Sequence, residues 1–361
     1  MNILLKTVLN TLEQTINVKD LTKVLVAITF LVIALGGTIR IYDAGESCPD
    51  WPTCFGSLGF IISESEQSQW YDENPDEIDS RGSGHTYTTF QIFTEWIHRF
   101  LAGVILGPLV VLNWILVKRN VNYGREIEGV VSLSFILIIW QGIVGMLTVK
   151  MNNEHWSVAL HLASALAFMM SLIWIWIIIS RDEKTDWLSF DPALAYEWKN
   201  KLMLMMILTL LTLMSGTLVS TSGGANLGCG VGGFYQSWPL CQGELLSPIK
   251  DIVAQSQMIH RWLVASVGIL LAGMSYSLWQ KSENSEHSKL LSKWFLTATA
   301  IYTANILLGG LYVISWTIDG YMEILSLIHL ILASAVFIIL ATIRLGISII
   351  ALHEENYQLD T

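Results

Sequence analysis

The sequence predicts an all-α membrane protein with eight transmembrane helices arranged as two parallel-related four-helix bundles. Three observations lead to this prediction. Of the 361 residues, 53% are apolar and only 14% are charged, whereas soluble domains contain about 25% charged residues. Eight apolar stretches are about long enough to cross a ~30 Å hydrocarbon layer as helices. The chain also repeats its motifs once, in the same order, which indicates two related halves.

The predicted spans lie between solvated connections of unequal charge. Basic residues gather before the first span and after each even-numbered one, so both termini are expected to be cytoplasmic in a prokaryotic plasma membrane. The first span follows a stretch without a small-residue cleavage site and is expected to act as an uncleaved signal. We predict the spans at residues 21–41, 88–117, 128–149, 156–180, 202–221, 251–279, 294–315 and 323–347.

The net charge of −10 comes largely from the outer connection between the first two spans. Residues 60–85 form a long acidic insertion there, which is interpreted as a solvated surface and makes nucleic acid an unlikely partner. The sequence leaves open whether this insertion docks a partner or is disordered.

The repeat divides the chain into three parts. Residues 1–180 form an N-terminal four-helix half, 181–201 a cytoplasmic linker, and 202–361 a C-terminal four-helix half. Each half has a Gly-Thr at the end of its first span, a Trp-Pro-x-Cys loop, an Ile-His-Arg span, a span with small residues, and a span that opens with a histidine. The paired motifs begin at Gly36 and Ser215, Trp51 and Trp238, Ile97 and Ile259, Gly142 and Gly309, and Leu160 and Ile328.

All four cysteines fall in predicted outer loops, two in each half. Their position on the oxidising side of the membrane favours two local disulfides, Cys48–Cys54 and Cys229–Cys241. Free thiols or a four-cysteine metal site are the alternatives, and the absence of a CxxC spacing argues against the metal site.

Four histidines occupy repeated positions on the even-numbered spans: His98, His161, His260 and His329. Each lies five to ten residues below the outer end of its span, which corresponds to a depth of about 7–15 Å. Two imidazoles at matched depth on facing helices can ligate a haem iron from both sides, and the following arginines, Arg99 and Arg261, can pair with haem propionates. The alternatives are hydrogen-bonded core histidines or, less favoured, a zinc site.

The two Ile-His-Arg spans differ in one residue. Glu95 lies three residues before His98, and Gln257 stands at the equivalent place before His260. A carboxylate inside a membrane span costs about 2.5–3.5 kcal/mol at mid-helix, so it needs a compensating role. Either Glu95 is a catalytic base, or it forms an i,i+4 ion pair with Arg99.

Taken together, these motifs resemble the haem A synthase family over nearly the whole chain. The resemblance rests on the eight spans in two halves, Glu-x-x-His-Arg in the second span, the paired histidines and the two cysteine pairs. It implies a membrane oxidoreductase that oxidises the C8 methyl group of haem O to a formyl group, giving haem A for terminal oxidases.

The resemblance also implies residue roles. His260 and His329 would ligate a resident haem b, with Arg261 assisting. His98 and His161, with Arg99, would hold the substrate haem, and Glu95 would be the active-site carboxylate. The first cysteine pair would matter for activity. Partners would include haem O and haem A, the lipid bilayer, the enzyme that makes haem O, and an electron acceptor.

Two other functions remain open on the residues alone. A dihaem b membrane cytochrome that carries electrons from quinol needs the same four histidines but gives Glu95 no chemical role. A transporter with histidines along a proton or metal path fits parallel repeats, although the spans lack glycine or proline interruptions near mid-membrane.

Overall fold

The computed structural model describes residues 3–79, 81–82, 84–183, 186–221, 227–246, 251–282, 285–317 and 320–359. In these residues the structure is helical, with only isolated β-bridges and no strands. The helices are α1 (Ile3–Thr15), α2 (Val18–Ile41), α3 (Glu64–Glu73), α4 (Thr89–Phe100), α5 (Gly107–Arg119), α6 (Arg125–Lys150), α7 (His155–Asp182), α8 (Pro192–Thr221), α9 (Ile252–Lys281), α10 (Glu286–Ile314) and α11 (Glu323–Leu359).

Eight helical segments of the described chain are long and apolar enough to cross a membrane. They are α2, the continuous α4–α5 segment, α6, α7, α8, α9, α10 and the first 27 residues of α11. The predicted eight-span, all-α fold is therefore confirmed, and the protein is a multi-pass membrane protein. The orientation of its termini stays a prediction.

Two helices begin well before the predicted start of their spans, and the other starts lie within three residues of the prediction. Helix α8 starts at Pro192 instead of 202, because the Asp191 carboxylate accepts a hydrogen bond from the Leu194 N–H at 2.8 Å and caps the helix. Helix α10 starts at Glu286 instead of 294, behind the cap residue Ser285. The predicted linker 181–201 is therefore short, with a 3₁₀ turn at Asp186–Leu188; its residues 184 and 185 lie outside the described part.

The described chain forms two compact units. The first contains residues 1–36, 47–147 and 164–185, and the second contains 37–46, 148–163 and 186–361. The division of the chain into halves at 1–180 and 202–361, and their arrangement as two bundles, stay predictions.

The acidic insertion is a folded cap; only its residues 80 and 83 lie outside the described part. Ser63 and Glu66 form a capping box at the start of α3. The buried Gln67 side chain then binds both main-chain groups of Tyr87, donating to its oxygen at 3.0 Å and accepting from its nitrogen at 2.8 Å. Beneath the helix, Tyr71 packs in one apolar cluster with the Cys48–Cys54 disulfide. The question of disorder left open by the sequence is thus answered.

The second span contains a turn that its counterpart in the other half lacks. Between α4 and α5, residues Leu101–Leu106 form a π-helical turn in which the Gly107 N–H bonds to the oxygen of Ala102. Pro108 explains this turn, because proline has no N–H and its ring clashes with the carbonyl four residues earlier. The residue at the equivalent distance from His260 is Leu270, and α9 is a continuous α-helix.

Candidate functional site

The carboxylate of Glu95 is bound on both oxygens. It is only 3% exposed. Its Oε1 accepts from Nη2 of Arg99 at 2.6 Å, and its Oε2 accepts from the Cys48 N–H at 2.9 Å and from the Ser47 hydroxyl at 3.1 Å. The guanidinium and the main-chain N–H can only donate, so this environment suits an ionised carboxylate. The i,i+4 ion pair with Arg99 weighed from the sequence is present.

Arg99 ties this carboxylate to the first cysteine loop, defined here as residues 47–58. Its guanidinium donates to three main-chain oxygens of that loop, those of Asp50 at 2.5 Å, Thr53 at 3.1 Å and Cys48 at 2.7 Å. Glu95, Arg99 and the loop that contains the disulfide are therefore one hydrogen-bonded assembly.

The second cysteine loop, residues 229–244, is held in the same way. Arg261 donates to the main-chain oxygens of Ser237 and Leu240, at 2.8 and 2.7 Å, and to Oε1 of Gln257 at 2.9 Å. Its partners are neutral oxygens, and the described residues include no carboxylate paired with it. A half-buried cation without a countercharge is costly, so an anionic group is expected nearby.

The rings of His98, His260 and His329 each pack against a glycine of a neighbouring helix. A methyl group added to Gly36 would lie 3.4 Å from Cε1 of His98, one on Gly216 would lie 3.0 Å from Cε1 of His260, and one on Gly309 would lie 2.7 Å from Cε1 of His329. Each glycine thus provides room for an imidazole. In the structure Gly309 is covered by His329, and Gly310 by the ring of Trp238.

The hydrogen bonds of His260 and His329 fix which ring nitrogen carries the proton. Nδ1 of His329 lies 3.0 Å from the main-chain oxygen of Asn305, which can only accept. Nδ1 of His260 lies 2.8 Å from Oγ of Ser215, whose own proton is donated to the oxygen of Thr212 at 2.7 Å. These contacts place the proton of His329 on Nδ1 and favour the same tautomer for His260, in which the Nε2 lone pair of each ring is available to a metal.

The donor set of the second unit fits a haem iron. Two neutral imidazoles with Nε2 available are standard axial ligands, and His260 and His329 lie in the same compact unit. Arg261 offers a positive charge for a propionate. In contrast, no cluster of three or more His, Cys, Asp or Glu residues suited to a bare metal ion occurs in the described chain.

The other two histidines belong to different compact units, His98 to the first and His161 to the second. Both rings are half-buried. His98 lies one helical turn from Glu95 on α4, and His161 lies near the start of α7. Their predicted pairing around one iron stays a prediction.

Both predicted disulfides, Cys48–Cys54 and Cys229–Cys241, are present, and no described cysteine is a free thiol. The alternatives of free thiols and of a four-cysteine metal site are therefore wrong. The four cysteines are completely buried. Both loops also contain a cis Trp–Pro bond, at Trp51–Pro52 and Trp238–Pro239.

Comparison with known proteins identifies the family. Residues 19–352 match the COX15-CtaA family of cytochrome oxidase assembly proteins. The chain belongs to this family. A protein of Novosphingobium aromaticivorans named heme A synthase is 27% identical over 77% of this chain and 83% of its own length. Heme A synthase of Halalkalibacterium halodurans is 22% identical over 88% of this chain and 93% of its own. That of Shewanella oneidensis is 31% identical, over 44% of each chain.

Sequence reasoning missed several residues of the site. It did not foresee the anchor of His260 on Ser215 or the contacts of Ser47 and the Cys48 N–H with Glu95. A signal for Ser215 existed, because the repeat places it opposite Gly36, so that one half has a hydroxyl at this position and the other has none. The predicted pairing of Arg99 and Arg261 with propionates is not tested by these contacts; for Arg99 the ion pair already neutralises its charge.

Proposed function

We propose that this protein is a haem A synthase, a membrane oxidoreductase that oxidises the C8 methyl group of haem O to the formyl group of haem A. Family membership supports the proposal, and one observation in the chain carries it. Two matched assemblies each consist of an arginine and the cysteine loop that it holds. The side chain that accepts from the arginine is the carboxylate of Glu95 in one assembly and the neutral amide of Gln257 in the other. A site that only holds a redox group has no need of a base, whereas a site that removes protons from a substrate does.

The two histidine pairs then have different tasks. His260 and His329, with Nε2 available, would hold a resident haem b, and Arg261 would bind one of its propionates. His98 and His161 would flank the substrate haem. Haem b would supply electron transfer when bound. The dihaem cytochrome is not favoured, because the relatives named above are synthases.

The residues around Glu95 would position it for proton transfer. Arg99 holds Oε1, and the Cys48 N–H and the Ser47 hydroxyl hold Oε2, which leaves Oε1 a second lone pair to accept a proton from the substrate side. Arg99 would stabilise the charged form before and after that step. Burial under the first cysteine loop excludes bulk water, which strengthens these interactions.

The proposal includes the setting of the enzyme. Both termini would be cytoplasmic in a prokaryotic plasma membrane, and the haem sites would lie in the outer half of the bilayer. Haem O is poorly soluble in water, so direct delivery from the enzyme that makes it is expected. Conversion of the methyl group to a formyl group adds an oxygen atom and removes electrons, so the reaction requires an oxygen source and an electron acceptor.

The decisive experiment is a pyridine haemochrome spectrum, with extraction and chromatography of the haems, on protein made with and without a haem O source. We expect haem b in both preparations, and haem O or haem A only with the source. His260→Ala and His329→Ala should lose haem b, whereas His98→Ala should retain it and lose the substrate haem. Haem b alone in both preparations would identify a cytochrome, and a colourless protein would support the transporter.

A further inference from the structure

The immediate surroundings of His260 and His98 differ at one repeat position. The residue that precedes Gly-Thr at the end of the first span of each half is Ser215 in the C-terminal half and Gly36 in the N-terminal half, if Gly216-Thr217 is matched to Gly37-Thr38. Both residues face the histidine of the next span. A methyl group added to Gly36 would lie 3.4 Å from the ring of His98, so Gly36 leaves room for that ring, whereas Ser215 contacts the ring of His260 through its hydroxyl.

The hydroxyl of Ser215 is held in one orientation. It donates its single proton to the oxygen of Thr212 at 2.7 Å, three residues earlier in α8. Its oxygen therefore presents a lone pair to Nδ1 of His260 at 2.8 Å. Ser215 and Thr212 both belong to helix α8, so the oxygen that accepts from His260 is held by a helix and does not depend on loop geometry.

We propose that Ser215 is a positioning residue for His260 and that its oxygen lowers the reduction potential of the haem that His260 ligates. The inference rests on the proposed haem b site. An acceptor on the distal N–H of a ligating imidazole fixes the ring and raises the basicity of the other nitrogen. A more basic ligand stabilises ferric over ferrous iron, and hydrogen bonding around the ligand is one of the means by which a protein sets the potential of its haem.

His329 has an anchor of a different kind. Its Nδ1 bonds to the main-chain oxygen of Asn305, which no side-chain substitution removes. Of His260 and His329, only His260 depends on a side-chain oxygen for this bond in the described structure. A substitution of Ser215 therefore changes the hydrogen bond of His260 and leaves that of His329 in place.

The test is a redox titration of the haem b spectrum in purified full-length protein. In Ser215→Ala we expect the ferric–ferrous equilibrium to shift about threefold to tenfold towards ferrous iron; a tenfold shift corresponds to 59 mV for one electron. Loss of haem to an excess of an apoprotein scavenger should also accelerate, since such outer partners change metal affinity about 10–100-fold. Ser215→Thr retains a hydroxyl and should restore the potential.

Ser220→Ala is the matched control. Ser220 lies on the same helix and also donates to a main-chain oxygen three residues earlier, that of Thr217 at 3.0 Å, and its substitution should leave the potential unchanged. Equal potentials in Ser215→Ala and the unaltered protein, or equal shifts in Ser215→Ala and Ser215→Thr, would overturn the inference. Neither result would affect the haem b site itself, which the His260 and His329 variants test. If Ser215→Ala cannot be purified, the reduction potential of Ser215→Thr alone is the test. Because threonine retains the hydroxyl, a tenfold or larger shift of the ferric–ferrous equilibrium in this variant would contradict the proposed role of the hydroxyl.

Discussion

The two cysteine loops are held by the same device, and the difference between them concerns charge. In each, an arginine one residue past a span histidine donates to main-chain oxygens of a disulfide-bonded loop. The side-chain acceptor four residues before that arginine is a carboxylate beside the first loop, Glu95, and an amide beside the second, Gln257. Gln257 shows that the device works without a charge. The presence of a buried carboxylate at Glu95 therefore needs another reason, and proton transfer provides one.

The largest expected effect follows directly from that comparison. Glu95→Gln gives the first loop the chemistry of the second, so Arg99 should keep its acceptor and the protein should keep its fold and its haem b. Haem A formation should fall by about 10²–10⁴-fold, the usual contribution of a general base. Product is measured by chromatography of extracted haems, with exposed Glu66→Gln as the control. Activity within a few-fold of normal would show that Glu95 has only the structural role of Gln257.

A second prediction compares the two arginines. Arg99→Met leaves the carboxylate of Glu95 buried without its ion-pair partner, which costs about 3–5 kcal/mol. Arg261→Met leaves only neutral acceptors, which cost about 1–3 kcal/mol. The thermal midpoint in detergent should therefore fall further for Arg99→Met.

The double variant Glu95→Gln with Arg99→Met separates charge from lost hydrogen bonds. It should recover much of the midpoint lost in Arg99→Met. An equal loss in the single and double variants would mean that burial of the charge is not what makes Arg99 important.

A third prediction concerns the glycines beneath the histidine rings. Gly309→Ala places a methyl group 2.7 Å from His329, closer than real contacts allow, and should remove most of the haem b. Gly216→Ala, at 3.0 Å from His260, should lower haem b less, and Gly36→Ala, at 3.4 Å from His98, should leave it intact. Gly273→Ala is the control, because a methyl group there meets no described atom within 4 Å. Haem b per protein is read from the haemochrome spectrum, and any other ranking of the three would refute this explanation.

The smallest effect is expected in helix α3 of the folded insertion, residues 60–85. Ser63→Ala removes the side-chain acceptor of the α3 capping box and should destabilise that helix locally by about 1 kcal/mol. Faster hydrogen exchange at the Glu66 amide would report it, with Ser68→Ala as the control. Haem b bound in the second unit should not change.

The same capping box predicts a pH dependence. Hydrogen bonds from the side chain and the backbone of Ser63 hold the pKa of Glu66 below its usual value. A carboxyl with a lowered pKa stabilises the folded state above its unfolded pKa, and this contribution is lost as the pH falls through the folded pKa. Protection of α3 should therefore weaken in acid, and the Glu66→Gln variant should show a smaller pH dependence.

The sequence predicted what depends on composition and on repeated side chains. Eight spans, the family and both disulfides are confirmed, because apolar length, motif order and cysteine position carry them. It did not predict the main-chain partners of Arg99 and Arg261, since main-chain oxygens have no identity in a sequence. The fold of the acidic insertion was also missed, because its stability comes from one buried glutamine, Gln67, and from aromatic packing on a disulfide.

The π-helical turn at Leu101–Leu106 changes how the two halves should be aligned. Such a turn inserts one residue into the helix, and one residue corresponds to a rotation of about 100° around the axis. On the N-terminal side of the turn, Glu95 and His98 share a face of α4 in the same way as Gln257 and His260 share a face of α9. On the C-terminal side of the turn, the faces of α5 and of the corresponding part of α9 are out of phase by one residue. Inference from one half to the other, position by position, therefore holds only for the part of each helix that surrounds the histidine.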